Sequence, residues 1–155
     1  MKKALKFIHT IGSIALVGGL LFLLLGWRAL ADSSDPDALY VYYSQTDVAA
    51  RWLILPGMIS MLLSGMLSMM VGPGFYNAGW VWAKLALGLS VFEGTLLSIQ
   101  GPAQKAGAIA TKYGNREVDG TALVAINGPN EMAIFVVLLV CLVATAFGIW
   151  RPRFT

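Results

Sequence analysis

His9 and Lys84 are the residues of this chain best placed to do chemistry. His9 is the sole histidine among 155 residues, and Lys84 stands alone inside a long apolar run. A neutral imidazole can move a proton or bind a metal. A lysine ammonium can hold an anion. Ionisable groups inside apolar segments are costly and mark functional positions. A third such group, Glu93, lies nine residues beyond Lys84. At ~100° per residue that is the opposite helix face, roughly 13 Å deeper, so Glu93 cannot pair with Lys84. Arg51 is its expected partner, with a proton relay as the alternative. Met58, Met61, Met66, Met69 and Met70 crowd one apolar stretch. Their thioethers can bind copper(I) or serve as an axial haem ligand, although methionine is also an adaptable packing residue. Cys141 is the single cysteine, which excludes an internal disulfide and a cysteine metal cluster; packing is its expected role.

The elements that must position these groups are membrane helices. The chain is 57% hydrophobic and 12% charged, against about 25% charged in soluble domains. Mean hydropathy is +0.72. Four apolar stretches, over about 7–30, 48–71, 79–100 and 132–150, each meet the ~20 residues needed to cross a bilayer. In lipid an open strand would leave backbone groups unpaired, so the expected fold is all-α, a single transmembrane four-helix bundle over 1–155. Asp47 and Asn77 are candidate caps for the second and third helices, and Pro152 marks the end of the fourth. Pro56 falls inside the second helix and should bend it, leaving the Trp52 carbonyl without its usual partner. The segment 101–131 reads as an extramembrane loop, with Asp119-Gly120 a hairpin signal.

Lys2, Lys3 and Lys6 precede the first stretch, and Ala29-Leu30-Ala31 resembles a signal cleavage site. The apolar run exceeds the ~7–15 residues of a signal core, so it is expected to stay as a helix and to keep His9. Lysines and arginines number five on each side of the membrane. The first helix usually dominates orientation, which places both termini in the cytoplasm. Trp27, Tyr40, Tyr42, Tyr43 and Trp52 then form an outer aromatic belt, and Phe75, Tyr76, Trp80, Trp82 and Trp150 an inner one. In that orientation His9 and Lys84 lie at one level of the cytoplasmic leaflet, at ~1.5 Å per residue. They could face a shared pocket. The plainer alternative has Lys84 snorkelling to the headgroups with its stem on Trp80, and His9 bonded to a nearby carbonyl. Ser60, Ser64 and Ser68, and likewise Gly12 and Gly19, form small-residue seams suited to close helix contact.

The net charge of +3 is small and gives no sign of nucleic-acid binding. No phosphate loop, zinc spacing or hydrolase elbow appears.

The order His9-Thr10-Ile11-Gly12, Pro56-Gly57-Met58-Ile59, Trp80-Val81-Trp82-Ala83-Lys84-Leu85, Asn130-Glu131 and Arg151-Pro152 resembles the HemJ-type membrane protoporphyrinogen IX oxidases and the wider CopD-like superfamily. The resemblance covers nearly the whole chain. It implies an inner-membrane protein holding haem b, with His9 as a metal ligand and Lys84 as a catalytic and cofactor-binding residue. Lys84 would pair with a propionate or an anionic substrate. The family pattern has further histidines and this chain has none. The second axial position would then be taken by a methionine, by another subunit or by nothing. The expected function is redox chemistry, either electron transfer or oxidation of a quinone or tetrapyrrole-like substrate, in a homo-oligomer. The alternatives are copper or small-solute handling, and a non-catalytic accessory subunit.

Overall fold

The computed structural model describes residues 2–30, 33–71, 79–126 and 128–150. Helices α1 (Lys2–Leu30), α2 (Pro36–Ala49), α3 (Leu55–Val71), α4 (Gly79–Thr95), α5 (Gly101–Gly114), α6 (Gly120–Val124) and α7 (Glu131–Trp150) follow in order. No strand occurs among the described residues. Four helical runs are long and apolar enough to span a membrane: Lys3–Leu30, Pro36–Val71, Val81–Gly114 and Glu131–Trp150. The all-helical four-span architecture read from hydropathy is therefore the one observed.

The two central runs are longer than expected. Pro36–Val71 has 36 residues and Val81–Gly114 has 34, so at ~1.5 Å per residue each exceeds 50 Å. A ~30 Å hydrocarbon core cannot cover that length. Their far ends, α2 and α5, project together as a helical head. The segment expected to be a loop over 101–131 is largely helix, and Asp119 caps α6 instead of opening a hairpin: its carboxylate accepts from the Thr121 amide at 3.1 Å. Nor does Asp47 cap the second span. Asp35 does, accepting from the Asp37 amide at 3.2 Å with Pro36 in the first helical position. Proline there pre-sets φ and wastes no donor, so the helix starts well before Asp47. The cap expected at Asn77 and the stop signal at Pro152 lie outside the described residues.

Each long run passes through a π-helical turn, at Ala50–Ile54 and at Leu96–Gln100. In each, the amide of the next residue, Leu55 or Gly101, bonds back five residues to the Ala50 or Leu96 carbonyl. Each turn stands just before a proline, Pro56 or Pro102. Proline lacks the N–H of the α pattern and its ring crowds the preceding turn. The irregularity expected at Pro56 thus takes the form of a wide turn ahead of it, and Pro102 repeats it.

Two cores result. Leu16, Leu20 and Leu23 of α1 pack with Ile54, Met58, Ile99 and Ile134 inside the bundle. Leu39, Tyr42 and Tyr43 pack with Ala106, Ala110 and Leu123 inside the head. Tyr42 and Tyr43 are therefore core residues, not members of an aromatic belt: the Tyr42 hydroxyl donates to the Leu23 carbonyl at 3.0 Å and Tyr43 to the Ile126 carbonyl at 3.3 Å. Trp52 and Trp150 do stand exposed, each at 79%. Phe75 and Tyr76 lie outside the described residues, as does the Trp80 side chain on which the Lys84 stem was expected to rest. Arg28 closes the head side of the bundle, pairing with Glu131 at 2.8 Å and lying 5.2 Å from the Phe135 ring centroid.

Candidate functional site

Helix α1 crosses α3 at very short range. A methyl group on Gly12 would sit 2.6 Å from the Gly57 carbonyl oxygen, and one on Gly57 would sit 2.9 Å from the Ala15 Cβ. The glycine seam on α1 is thus a backbone contact, as small-residue seams in membranes usually are. That approach brings His9 of α1 onto the serine seam of α3. The His9 Nδ1 lies 2.8 Å from the Met61 carbonyl oxygen and 3.3 Å from the Ser64 hydroxyl. Ser64 in turn donates to the Ser60 carbonyl at 2.6 Å. Gly65 lies against the ring: a methyl group there would make ordinary contact with it, 3.6 Å from Cε1. A carbonyl only accepts, so Nδ1 must carry the hydrogen. In the neutral ring Nε2 then holds the free lone pair. Metal-ligating histidines are oriented by the same kind of bond.

Lys84 approaches from α4. Its Nζ would lie 2.8 Å from a methyl group on Gly148, so it rests against the last turn of α7. The negative end of a helix dipole favours a cation there. Among the described residues Lys84 has no salt-bridge partner.

His9 and Lys84 line one cavity of about 390 Å³ between α1, α3, α4 and α7. Its wall also includes Lys6, Met66, Met69 and Cys141. None of its lining residues is acidic. The sequence could not establish whether the two residues share a pocket; the crossing of α1 over α3 supplies the answer. The cavity reaches the bundle surface at the exposed Lys6, Thr10 and Met66.

The methionines separate. Met61, Met66 and Met69 line the cavity, Met58 is fully buried in the core, and Met70 is 69% exposed. Among the described residues no three His, Cys, Asp or Glu side chains converge where they could hold a metal ion. The expected Arg51–Glu93 pair does not form. Arg51 bonds Asp47 at 2.7 Å, one turn back on the same helix. The early start of α2 makes that i, i+4 pairing available. Glu93 is exposed, apart from the cavity.

Sequence reading missed Lys6, Gly65 and Cys141 as wall residues and Gly148 as a spacer. Lys6, His9 and Ser13 recur at three- and four-residue spacing, so a helix-face projection would have found Lys6. No sequence signal pointed to Gly148, whose role depends on how α4 meets α7.

No curated protein and no solved structure matches the chain. A family profile does match, from residue 3 to residue 152, which is nearly the whole chain and all four spans. With that coverage and this four-span architecture, the chain belongs to the family described as "Predicted integral membrane protein (DUF2269)".

Proposed function

We propose that the protein binds haem b in the cavity between α1, α3, α4 and α7 and works as a membrane redox protein. The observation that carries this reading is the pairing of His9, whose Nδ1 is committed to the Met61 carbonyl, with Lys84 on one cavity. The donor set suits the group. His9 Nε2 would bind iron, the Met66 and Met69 thioethers offer a soft second ligand, and Lys84 and Lys6 would hold the propionates. The volume of about 390 Å³ falls within the ~300–1,000 Å³ of small-molecule sites, and the opening at Thr10 and Met66 lets a flat ring extend beyond it. Haem when bound supplies one-electron chemistry. The chain's own part is to fix the imidazole, neutralise the acid groups and exclude water with apolar walls. The resemblance to the HemJ-type family supports the same roles. It also supports an inner-membrane location and a quinone or tetrapyrrole-like substrate, while the lysines ahead of the first apolar stretch support cytoplasmic termini.

The test is an absorbance spectrum of protein purified in mild detergent, oxidised and then reduced with dithionite, beside His9→Ala. A Soret band with sharpened α and β bands on reduction, absent from the variant, is the expected result. A colourless preparation from haem-replete cells overturns the proposal.

A second reading, copper(I) handling, is favoured by Met61, Met66 and Met69 on the cavity wall. It requires copper(I) binding that falls when all three become leucine; unchanged binding removes it.

A further inference from the structure

Glu93 poses a problem that the cavity does not solve. A methyl group on the neighbouring Gly94 would lie 3.9 Å from Val137 Cγ2. Val137 is six residues into α7, roughly 9 Å along that helix at ~1.5 Å per residue. With its 20 residues, α7 just spans a hydrocarbon core of ~30 Å. Glu93 is therefore about a third of the way into the apolar layer, and its side chain faces outward from the bundle. A carboxyl group aimed at lipid has no water and no donor. Intramembrane acids almost always face a protein interior or a partner.

Its surroundings say what the partner is. Trp82, Ala86, Leu89, Ser90, Glu93 and Leu97 recur at three- and four-residue spacing, and all are exposed, Leu97 at 71%. They form one outward stripe on α4 and the π-turn that follows. Glu93 is the only ionisable group on that stripe, and Ser90 stands one turn before it, its hydroxyl donating to the Ala86 carbonyl at 3.0 Å. No basic residue interrupts the stripe. An identical stripe laid beside it would place a carboxylic acid and a serine oxygen opposite the same two groups. The Ser90 hydroxyl of each copy can donate to the Glu93 carboxyl of the other, so the two stripes complement each other. The flanking leucines and Ala86 give close, apolar contact on either side.

We infer that the outward face of α4 is an interface between two copies of this chain, joined through Glu93 and Ser90. The inference is independent of what the cavity holds.

The test is thiol cross-linking in native membranes in a Cys141→Ala background. Leu89→Cys and Leu97→Cys are expected to cross-link between copies. Leu142→Cys, 69% exposed on α7, is expected not to. Adding Glu93→Leu should lower the cross-linked fraction at least tenfold, whereas Glu93→Gln, which keeps a donor and an acceptor, should largely preserve it. Absence of cross-links at both α4 positions overturns the inference. So does equal cross-linking at Leu142→Cys, or a Glu93→Leu protein that cross-links like its parent. Complete labelling of wild-type Glu93 by a lipid-soluble carbodiimide would place the carboxyl in lipid and overturn it as well.

Discussion

Around the cavity, helices meet backbone to backbone. Gly12 meets Gly57, and Ser64 bonds back to the Ser60 carbonyl within its own helix while His9 leans on Ser64. In the head, helices meet through rings: Tyr42 and Tyr43 lie 5.5 Å apart by ring centroid, and Tyr40 lies 5.8 Å from Tyr113. Two long helices run through both regions and pass from one to the other at the π-turns. Their difference follows from the solvent each must satisfy. Lipid gives little reward for burying a large apolar group, so association there rests on close packing of small residues and on polar bonds. Water rewards buried apolar area, so the head is built on aromatic and aliphatic side chains, with caps for its short helix. One chain thus uses two packing codes along one helix.

The sharpest way to break this comparison is to place a large residue in each region. Gly12→Val puts carbon where the Gly57 carbonyl and the Met61 amide already stand, at 2.6 and 2.8 Å from the first added atom. Backbone cannot yield as a side-chain tip can, so α1 and α3 must separate. The expected destabilisation is at or above the ~3 kcal/mol upper range of overpacking, together with loss of the His9–Met61 bond. A denaturant titration in detergent checks the first, and the haem spectrum checks the second. If Gly12→Val behaves like wild type in both, the backbone contact is not what holds the cavity.

Leu123→Ala is the counterpart in the head. Leu123 is fully buried against the tyrosine core, and truncation should cost about 2–5 kcal/mol. The damage should stay local. Amide exchange is expected to quicken in α2, α5 and α6, while the Soret band keeps its position and intensity. Loss of the cavity spectrum in this variant would show that the two regions fold as one unit and that the separation drawn here is wrong.

Gly148→Ala tests the cavity more gently. The added methyl group meets only the flexible end of Lys84, at 2.8 Å from Nζ, so stability should barely change. The ammonium, however, must leave its place against α7. Haem affinity is expected to fall about tenfold, equivalent to ~1.4 kcal/mol. Gly18→Ala is the control, since its methyl group meets nothing within 4 Å and Gly18 is not part of the cavity wall. Equal affinities in the two variants would mean that the Lys84 position is incidental.

How much of this could be read from sequence follows the same division. The spans were legible because a bilayer demands length and apolarity, and both are properties of a linear segment. His9 and Lys84 were legible because isolated ionisable residues stand out in apolar sequence. The head was hidden. Its helices are continuous with the spans yet polar enough, with Asp37, Asp47, Lys105 and Lys112, to look like loops. What keeps them helical is the packing of α2 on α5, as where a methyl group on Gly107 would overlap the Asp47 Cβ. That is a contact between residues far apart in sequence, and no local pattern announces it. Glu93 was misassigned to Arg51 for a related reason. Once Pro36 starts the helix early, Asp47 becomes the nearer partner on the same surface.

The smallest expected effect belongs to the edge of the head, and its sign can be worked out. The Asp119 carboxyl is held below the ordinary carboxylate range, chiefly by the Thr121 hydroxyl and further by the Thr121 and Ala122 amides. A folded value below the unfolded one, ~3.9, means that the cap contributes fully above the unfolded value. Its contribution is lost as pH falls through the lower folded value. On acidification, then, α6 should fray, seen as shifts of the Thr121 and Ala122 amide resonances over that interval. Asp119→Asn retains a capping oxygen without the titration, so it should flatten the pH dependence of α6 and leave its fold at neutral pH intact. If the amides of α6 titrate equally in Asp119→Asn, another acid governs the head, and the cap is only one of its anchors.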